Sequence, residues 1–334
     1  MSARPRKLAT LVVGAGSIGW RHLSNLRALG VEPLAACDPD AGRRERVARE
    51  LEGKTFADLE HSLDEFRPQA VLVCTPPVCH VDQARHALAC GAHVFIEKPL
   101  SHSEHGVDEL LSQGRGRVVQ VGYNLRHHPG LQHLKQQLDA GAIGRVLWAR
   151  AEFGQYLPDW RPQQDYRLNY TAQRALGGGM LLDGSHEIDY TLWLLGEPLE
   201  VSCLTGKVSN LEMDVEDCAD LLLRFAGGTQ ACVHLDCVQR RYSRGCKLAG
   251  TEGTLEWDYT ENQVRLYRVA DKRSVVFTHE FEANQMYVAE LLHFLDSIEH
   301  GQESLSGLVQ ARQTLKVVLA ARASAAAGRR IRLA

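Results

Sequence analysis

From residue 8 to about residue 123 the chain alternates short, continuously apolar runs with stretches of one-faced helical periodicity. The apolar runs fall at 8–14, 34–38, 70–75, 93–97 and 118–123. Strands without polar alternation are buried on both faces, and strands of that kind joined by crossover helices lie parallel. The pattern therefore predicts an α/β fold whose first part is a doubly wound parallel sheet.

After residue 123 the rhythm changes. A helix is predicted over 128–140 and a strand over 145–153, followed by a polar, aromatic loop and the turn Gly177-Gly178-Gly179. One helix then runs to Gly196-Glu197-Pro198. Between 201 and about 280 alternating strands are punctuated by Ala226-Gly227-Gly228-Thr229 and Thr251-Glu252-Gly253-Thr254, which predicts a mostly antiparallel sheet. An open sheet of this kind needs cover on its second face, so a homo-oligomer, dimer or tetramer, is expected. Residues 305–327 form a final helix with Gly328 as its C-terminal cap. Two domains result, 1–123 and 124–334.

The 334 residues suit two cores rather than one. Hydrophobic residues make up 44% and charged residues 24%, an ordinary globular balance. With 38 basic and 41 acidic residues the formal net charge is −3, which supplies no positive field for nucleic acid. No run approaches the length of a membrane span, so no membrane partner is expected. Arg4, Pro5, Arg6 and Lys7 read as a loose start before a strand rather than a targeting segment. Nine cysteines scattered through apolar runs read as reduced thiols of a cytoplasmic protein, without disulfides.

Chemistry enters at Gly14-Ala15-Gly16-Ser17-Ile18-Gly19, which closes a predicted strand and opens a predicted helix. In that context Gly14 allows the tight turn, Gly16 lets a pyrophosphate approach the backbone, and Gly19 lets helix and strand pack closely. Ser17 and Ile18 belong to the same anion-binding helix start. Asp38 ends the next strand at the distance where a carboxylate meets the adenosine ribose hydroxyls, which favours NAD. Arg43 and Arg44, close by in sequence, leave NADP open, and are otherwise a solvated first turn of helix.

Further motifs follow in order: Cys74-Thr75-Pro76-Pro77 with His80, Glu97-Lys98-Pro99, Val121-Gly122-Tyr123-Asn124, and the triple glycine leading to Asp183, His186 and Asp189. Together with the dinucleotide turn and His22 they resemble the glucose-fructose oxidoreductase and inositol dehydrogenase (Gfo/Idh/MocA) family across nearly the whole chain. The resemblance implies a Rossmann domain, an α/β domain with a large open sheet, and hydride transfer between NAD(H) and a polyol, aldose or related sugar. It also implies that Thr75, Pro76, Pro77, His80, Glu97 and Lys98 lie at the cofactor.

Oxidising a secondary alcohol needs a hydride acceptor, a base for the hydroxyl proton and a positive group near the developing alkoxide. Lys98, past the carboxyl end of a strand, suits the positive group, and His186 the acid/base. Asp183 stands three residues before His186 where the family pattern places the aspartate four before, a one-residue offset. It is read either as coupled to His186 or as a helix N-cap, and Asp189 as a structural partner. By resemblance Tyr123, Asn124 and Arg126 face the cleft between domains and bind substrate. Tyr156, Trp160 and Asp165 offer stacking and hydrogen bonds to a sugar, or else anchor their own loop. No Cys or His spacing points to a metal centre. The alternatives are an NAD-dependent glycosidase working by transient oxidation and elimination, and a non-catalytic NAD(P) sensor.

Overall fold

The computed structural model describes residues 6–333, so the loose start expected at Arg4 and Pro5 lies outside the described residues. Among the described residues no helix is long and apolar enough to cross a membrane. The chain divides into two compact units, one comprising residues up to Tyr123 with Met286–Arg312, the other Asn124–Gln285 with Gln313–Ala334.

In the first unit strands and helices alternate: β1 (Arg6–Val13), α1 (Ser17–Ala28), β2 (Val31–Cys37), α2 (Ala41–Leu51), β3 (Lys54–Phe56), α3 (Leu59–Phe66), β4 (Ala70–Val73), α4 (His80–Ala89), β5 (His93–Ile96), α5 (Val107–Gln113) and β6 (Val119–Val121). The strands form one sheet in the order β3-β2-β1-β4-β5-β6, and every pair is parallel. Order reverses at β1, so the carboxyl ends of β1 and β4 open the crevice in which such sheets bind nucleotides. All four residues of β4 are fully buried, as a strand covered on both faces requires. The strand β3 has no apolar run to announce it: it is three residues long and contains Lys54 and Thr55.

The second domain read from the sequence held all of 124–334, yet Met286–Arg312 joins the first unit. The reason is packing and pairing: Leu291, Phe294 and Leu295 bury into the cluster of Leu23, Leu26, Leu72 and Phe95. Ser306 also exchanges hydrogen bonds with Val121, its Oγ donating to the Val121 carbonyl at 2.7 Å and its carbonyl accepting from the Val121 amide at 2.8 Å.

The second unit contains α6 (Pro129–Asp139), β7 (Val146–Gly154), α7 (Leu157–Trp160), α8 (Met180–Asp183), α9 (Ser185–Leu195), β8 (Pro198–Gly206), β9 (Cys218–Phe225), β10 (Gln230–Asp236), β11 (Ser243–Gly250), β12 (Gly253–Asp258), β13 (Gln263–Arg268) and β14 (Arg273–Thr278). Helix α10 (Ala283–His300) leads into the first unit's returning segment; α11 (Leu308–Ala327) ends ahead of Gly328, whose φ is +61°, and β15 (Ile331–Arg332) follows. Nine strands lie in the order β14-β13-β12-β11-β7-β10-β9-β8-β15. All pairs are antiparallel except β7 with β10. Alternation is clean in β9, where Ala219, Leu221, Leu223 and Phe225 are buried while Asp220, Leu222 and Arg224 face out. That polar and apolar alternation leaves one face of the sheet open.

Candidate active site

The first half of the site is the turn between β1 and α1. Gly14 has φ +88°, and a Cβ there would stand 2.7 Å from the Cys74 carbonyl oxygen of the neighbouring strand's end. At Gly19 a Cβ would fall 1.8 Å from the Gly14 carbonyl oxygen, so helix and turn touch backbone to backbone. Gly16 differs: a Cβ would meet only Arg43 Nη1, at 3.8 Å, leaving open room beside the backbone. Gly16 is the N-cap of α1 and offers no side chain to the first-turn amides, and the first turn holds no acidic residue. Amides at a helix start with space beside them suit a pyrophosphate. These residues therefore fit a dinucleotide.

Asp38, one residue past β2, is buried beneath the turn. Its Oδ2 accepts the Ala15 amide at 2.7 Å and faces Arg43 Nη1 at 3.3 Å, while Oδ1 accepts the Asp40 amide at 2.9 Å. Arg43 is exposed in the first turn of α2, as the solvated reading has it, yet both arginines also have partners at the turn. Arg43 is paired with Asp38, and Arg44 donates to the carbonyls of Asp38 and Pro39 at 2.7 and 2.9 Å. Placed so, Arg43 neutralises part of the carboxylate that discriminates against a 2′-phosphate.

The Glu97-Lys98-Pro99 segment follows β5. Glu97 Oε1 lies 2.6 Å from His22 Nε2 of α1, and Oε2 accepts the Lys98 amide at 3.2 Å. Glu97, expected at the cofactor, ties α1 to the backbone of Lys98, which is half-buried. His80 is likewise spent on the protein: Nδ1 is 2.8 Å from the Pro99 carbonyl and Nε2 2.7 Å from the Thr75 carbonyl. Burial pushes its pKa down, against the two carbonyls that favour the charged ring. The ring is a strut between the loop after β4 and the loop after β5. Thr75 donates its hydroxyl to Gln83 Oε1 at 2.6 Å, and Pro76 and Pro77 lead into a single 3₁₀ turn.

In the second unit the expected single helix after the triple glycine is two, α8 and α9, broken at Gly184. The junction is tightly packed, since a Cβ at Gly184 would stand 2.8 Å from the Met180 carbonyl and 2.9 Å from Leu235 of β10. Asp183 thus ends one helix rather than beginning another, and the N-cap reading does not hold: the N-cap of α9 is Gly184. The carboxylate accepts the Tyr170 hydroxyl at 2.5 Å and the Thr171 hydroxyl at 2.6 Å. His186 lies in the first turn of α9 and is buried. Asp189, one turn further, forms a two-bond ion pair with Arg126 at 2.7 and 2.8 Å and accepts from Thr314 at 3.2 Å. Burial pushes the Asp189 carboxyl up, and the guanidinium opposes it.

Two models of known families match the chain: an oxidoreductase family with an NAD-binding Rossmann fold over residues 8–124, and the GFO/IDH/MocA C-terminal domain over residues 131–256. The chain belongs to the Gfo/Idh/MocA oxidoreductase family. The scyllo-inositol 2-dehydrogenase (NAD(+)) of Bacillus subtilis is 26% identical over 328 residues, covering 93% of this chain and 92% of that protein. An inositol 2-dehydrogenase of Salmonella typhimurium is 28% identical over 255 residues, 73% of this chain and 72% of its own. Among solved structures, GenD2 from gentamicin A biosynthesis in complex with NAD superimposes with a TM-score of 0.85 at 25% identity, covering 100% of this chain and 99% of that one.

As a Gfo/Idh/MocA oxidoreductase the protein has an NAD-binding first unit, and the NAD-dependent dehydrogenase acting on CH–OH groups that the sequence implied is the class it belongs to. The substrate-binding candidates divide. Tyr123 and Asn124 are buried, and Arg126 is committed to Asp189 rather than free for a substrate. Tyr156 lies beneath the Arg240 guanidinium, 3.6 Å from ring centre, and Trp160 donates to the Gln155 carbonyl at 2.9 Å. Asp165 is bound by its neighbour Arg167, at 2.8 Å, and is partly exposed. Trp160 and Asp165 hold to their own segment, whereas Tyr156 packs under a residue of the loop between β10 and β11. Sequence reasoning gave no role to His22, Tyr170 and Thr171, nor to the Glu187 and Arg244 pair at 2.9 Å. Only His22 carried a signal, its place just beyond the glycine turn; the others meet partners that no local spacing reveals.

Proposed function

We propose that this oxidoreductase passes a hydride between NAD and a secondary alcohol of a polyol or sugar. Bound NAD supplies the nicotinamide that takes up or gives back the hydride. Lys98 follows β5 at the carboxyl end of a parallel sheet, and its ammonium stabilises the alkoxide as it forms. His186 takes the hydroxyl proton, a task suited to an imidazole near neutral pH. Asp183, fixed by the Tyr170 and Thr171 hydroxyls at the end of α8, supplies a carboxylate three residues ahead of His186.

One observation carries this reading: the glycine turn backed by Asp38 and the Lys98 segment are joined by the pair of His22 and Glu97 within one unit. The relatives named inositol 2-dehydrogenase support the substrate class. The open sheet face supports a homodimer or homotetramer, and nine free cysteines suit a reducing, cytoplasmic setting.

The test is NADH formation with a panel of polyols, aldoses and uronates. Lys98→Met and His186→Gln should each lower kcat by about 10²- to 10⁴-fold. NAD affinity should stay close to that of the parent. Undiminished turnover in Lys98→Met would remove the amine from the chemistry.

A further inference from the structure

Strands β9 and β10 carry a second cluster of reactive side chains, far in sequence from Lys98 and His186. Their antiparallel register sets Asp220 opposite His234 and Cys218 opposite Asp236. Because side chains two apart share a face, all four project from the open face of the sheet. Donor atoms of Cys218, Asp220 and His234 lie within 4.8 Å of one another. We propose that Cys218, Asp220 and His234 bind a divalent transition-metal ion, zinc in preference to magnesium or calcium, with Asp236 orienting the imidazole.

The chemistry of the donors makes the choice. Thiolate, imidazole and carboxylate together suit zinc, whereas hard cations take oxygen ligands. Zinc bonds of about 2.0 to 2.3 Å require ligand atoms to close to under 4 Å, a small rotamer adjustment on a half-exposed surface. Asp236 behaves as the outer partner of a metal-bound histidine. Its Oδ1 accepts the amides of Val238 and Gln239 at 2.8 and 2.7 Å, and its Oδ2 stands 3.1 Å from His234 Nε2. With Nε2–H directed at that fixed carboxylate, Nδ1 turns toward Asp220 Oδ1, 2.8 Å away. A carboxylate on one ring nitrogen fixes the tautomer that presents the other to a metal.

Charge favours a cation as well. Asp217, Asp220 and Asp236 crowd Cys218, and Asp217 is already held by the amides of Val208 and Ser209. An imidazole bridging two aspartates would explain three members of the cluster without metal. The thiol of Cys218 is the member that such an ion network does not use. Three protein ligands leave the fourth tetrahedral position to water. The block lies on the face proposed to meet a second copy, and the test reads metal per chain whatever the assembly.

Full-length, untagged protein freed of metal by chelation would be titrated with Co²⁺, then with competing Zn²⁺. One Co²⁺ per chain with a thiolate-to-cobalt charge-transfer band, displaced by Zn²⁺, is expected. Cys218→Ser should abolish the band, and Asp236→Asn should weaken Zn²⁺ binding by about 10- to 100-fold. Asp220→Asn alters an exposed side chain and keeps the fold as a reference, while NAD affinity in every variant reports an intact first unit. Absence of the band at saturating Co²⁺, or Zn²⁺ held as tightly by Cys218→Ser and Asp220→Asn as by the parent, would overturn the assignment.

Discussion

The glycines of the dinucleotide turn face different neighbours, and a methyl group added at each has a different consequence. In Gly19→Ala the new carbon would sit 1.8 Å from the Gly14 carbonyl oxygen, so helix and strand must part. Loss of several degrees in Tm together with loss of NAD binding is expected. In Gly16→Ala the methyl meets only the tip of Arg43, and the fold should stay within about 0.5 kcal/mol of the parent. The methyl would nevertheless occupy the approach of the pyrophosphate. NAD affinity should fall at least about tenfold, or about 1.4 kcal/mol. Thermal shift with and without NAD separates the two effects, and parental NAD affinity in Gly16→Ala would place the phosphates elsewhere. These glycines were legible in the sequence because a turn is local. The commitment of Arg126 to Asp189 was not, since 63 residues separate them and nothing in either neighbourhood marks the pair.

Helix α6 shows how an element can depend on the protonation of one ring. His128 is its N-cap, with Nδ1 accepting the Gly130 amide at 3.1 Å, and the ring is enclosed by Trp257, Tyr259 and Phe281. Burial pushes its pKa down to about 3, with His279 and Arg244 adding to the shift. Protonation would put a proton on the accepting nitrogen and a positive charge at the positive end of the helix. The folded pKa lies below the unfolded value of about 6.5, so the unfolded chain takes the proton first. The stabilisation is complete above pH 6.5 and falls as pH drops toward 3, by up to about 1.4 kcal/mol per unit. Asparagine keeps the cap without titrating. Chemical denaturation of the parent and of His128→Asn should show their stability difference shift by about 2 kcal/mol against the parent between pH 6.5 and pH 5; parallel profiles would discount the ring. At this scale the helix over 128–140 was readable from periodicity, and Pro129 at the first helical position agrees with it. The break at Gly184 was not readable: what the position shows locally is one glycine, and the close approach of Leu235, from a strand 51 positions later, exists only after β10 has packed.

At the scale of the whole molecule the alternation that defines the second sheet also exposes apolar side chains on its open face. Leu204 is 80% exposed on β8, Leu222 61% on β9 and Trp148 39% on β7. Pairing of β8 with β9 and of β10 with β7 brings these three onto one surface with Ser202, Cys232 and Gln230. Large apolar side chains gathered on a single face are a sign of an interface, and the same patch on an identical chain is self-complementary about a two-fold axis. Each leucine buried in such a contact contributes roughly 1.5 to 3 kcal/mol, so a charge in its place removes that gain and strands an ion in the contact. Leu204 and Leu222 point away from the helices that cover the buried face, and their replacement leaves that core intact. Leu222→Glu combined with Leu204→Lys should therefore move the protein from oligomer to monomer in analytical ultracentrifugation, with circular dichroism and NAD affinity preserved. An unchanged sedimentation coefficient in the double variant, or a monomer already in the parent at micromolar concentration, would leave the face without a second copy and return the exposed leucines to the ordinary scatter of surface hydrophobes.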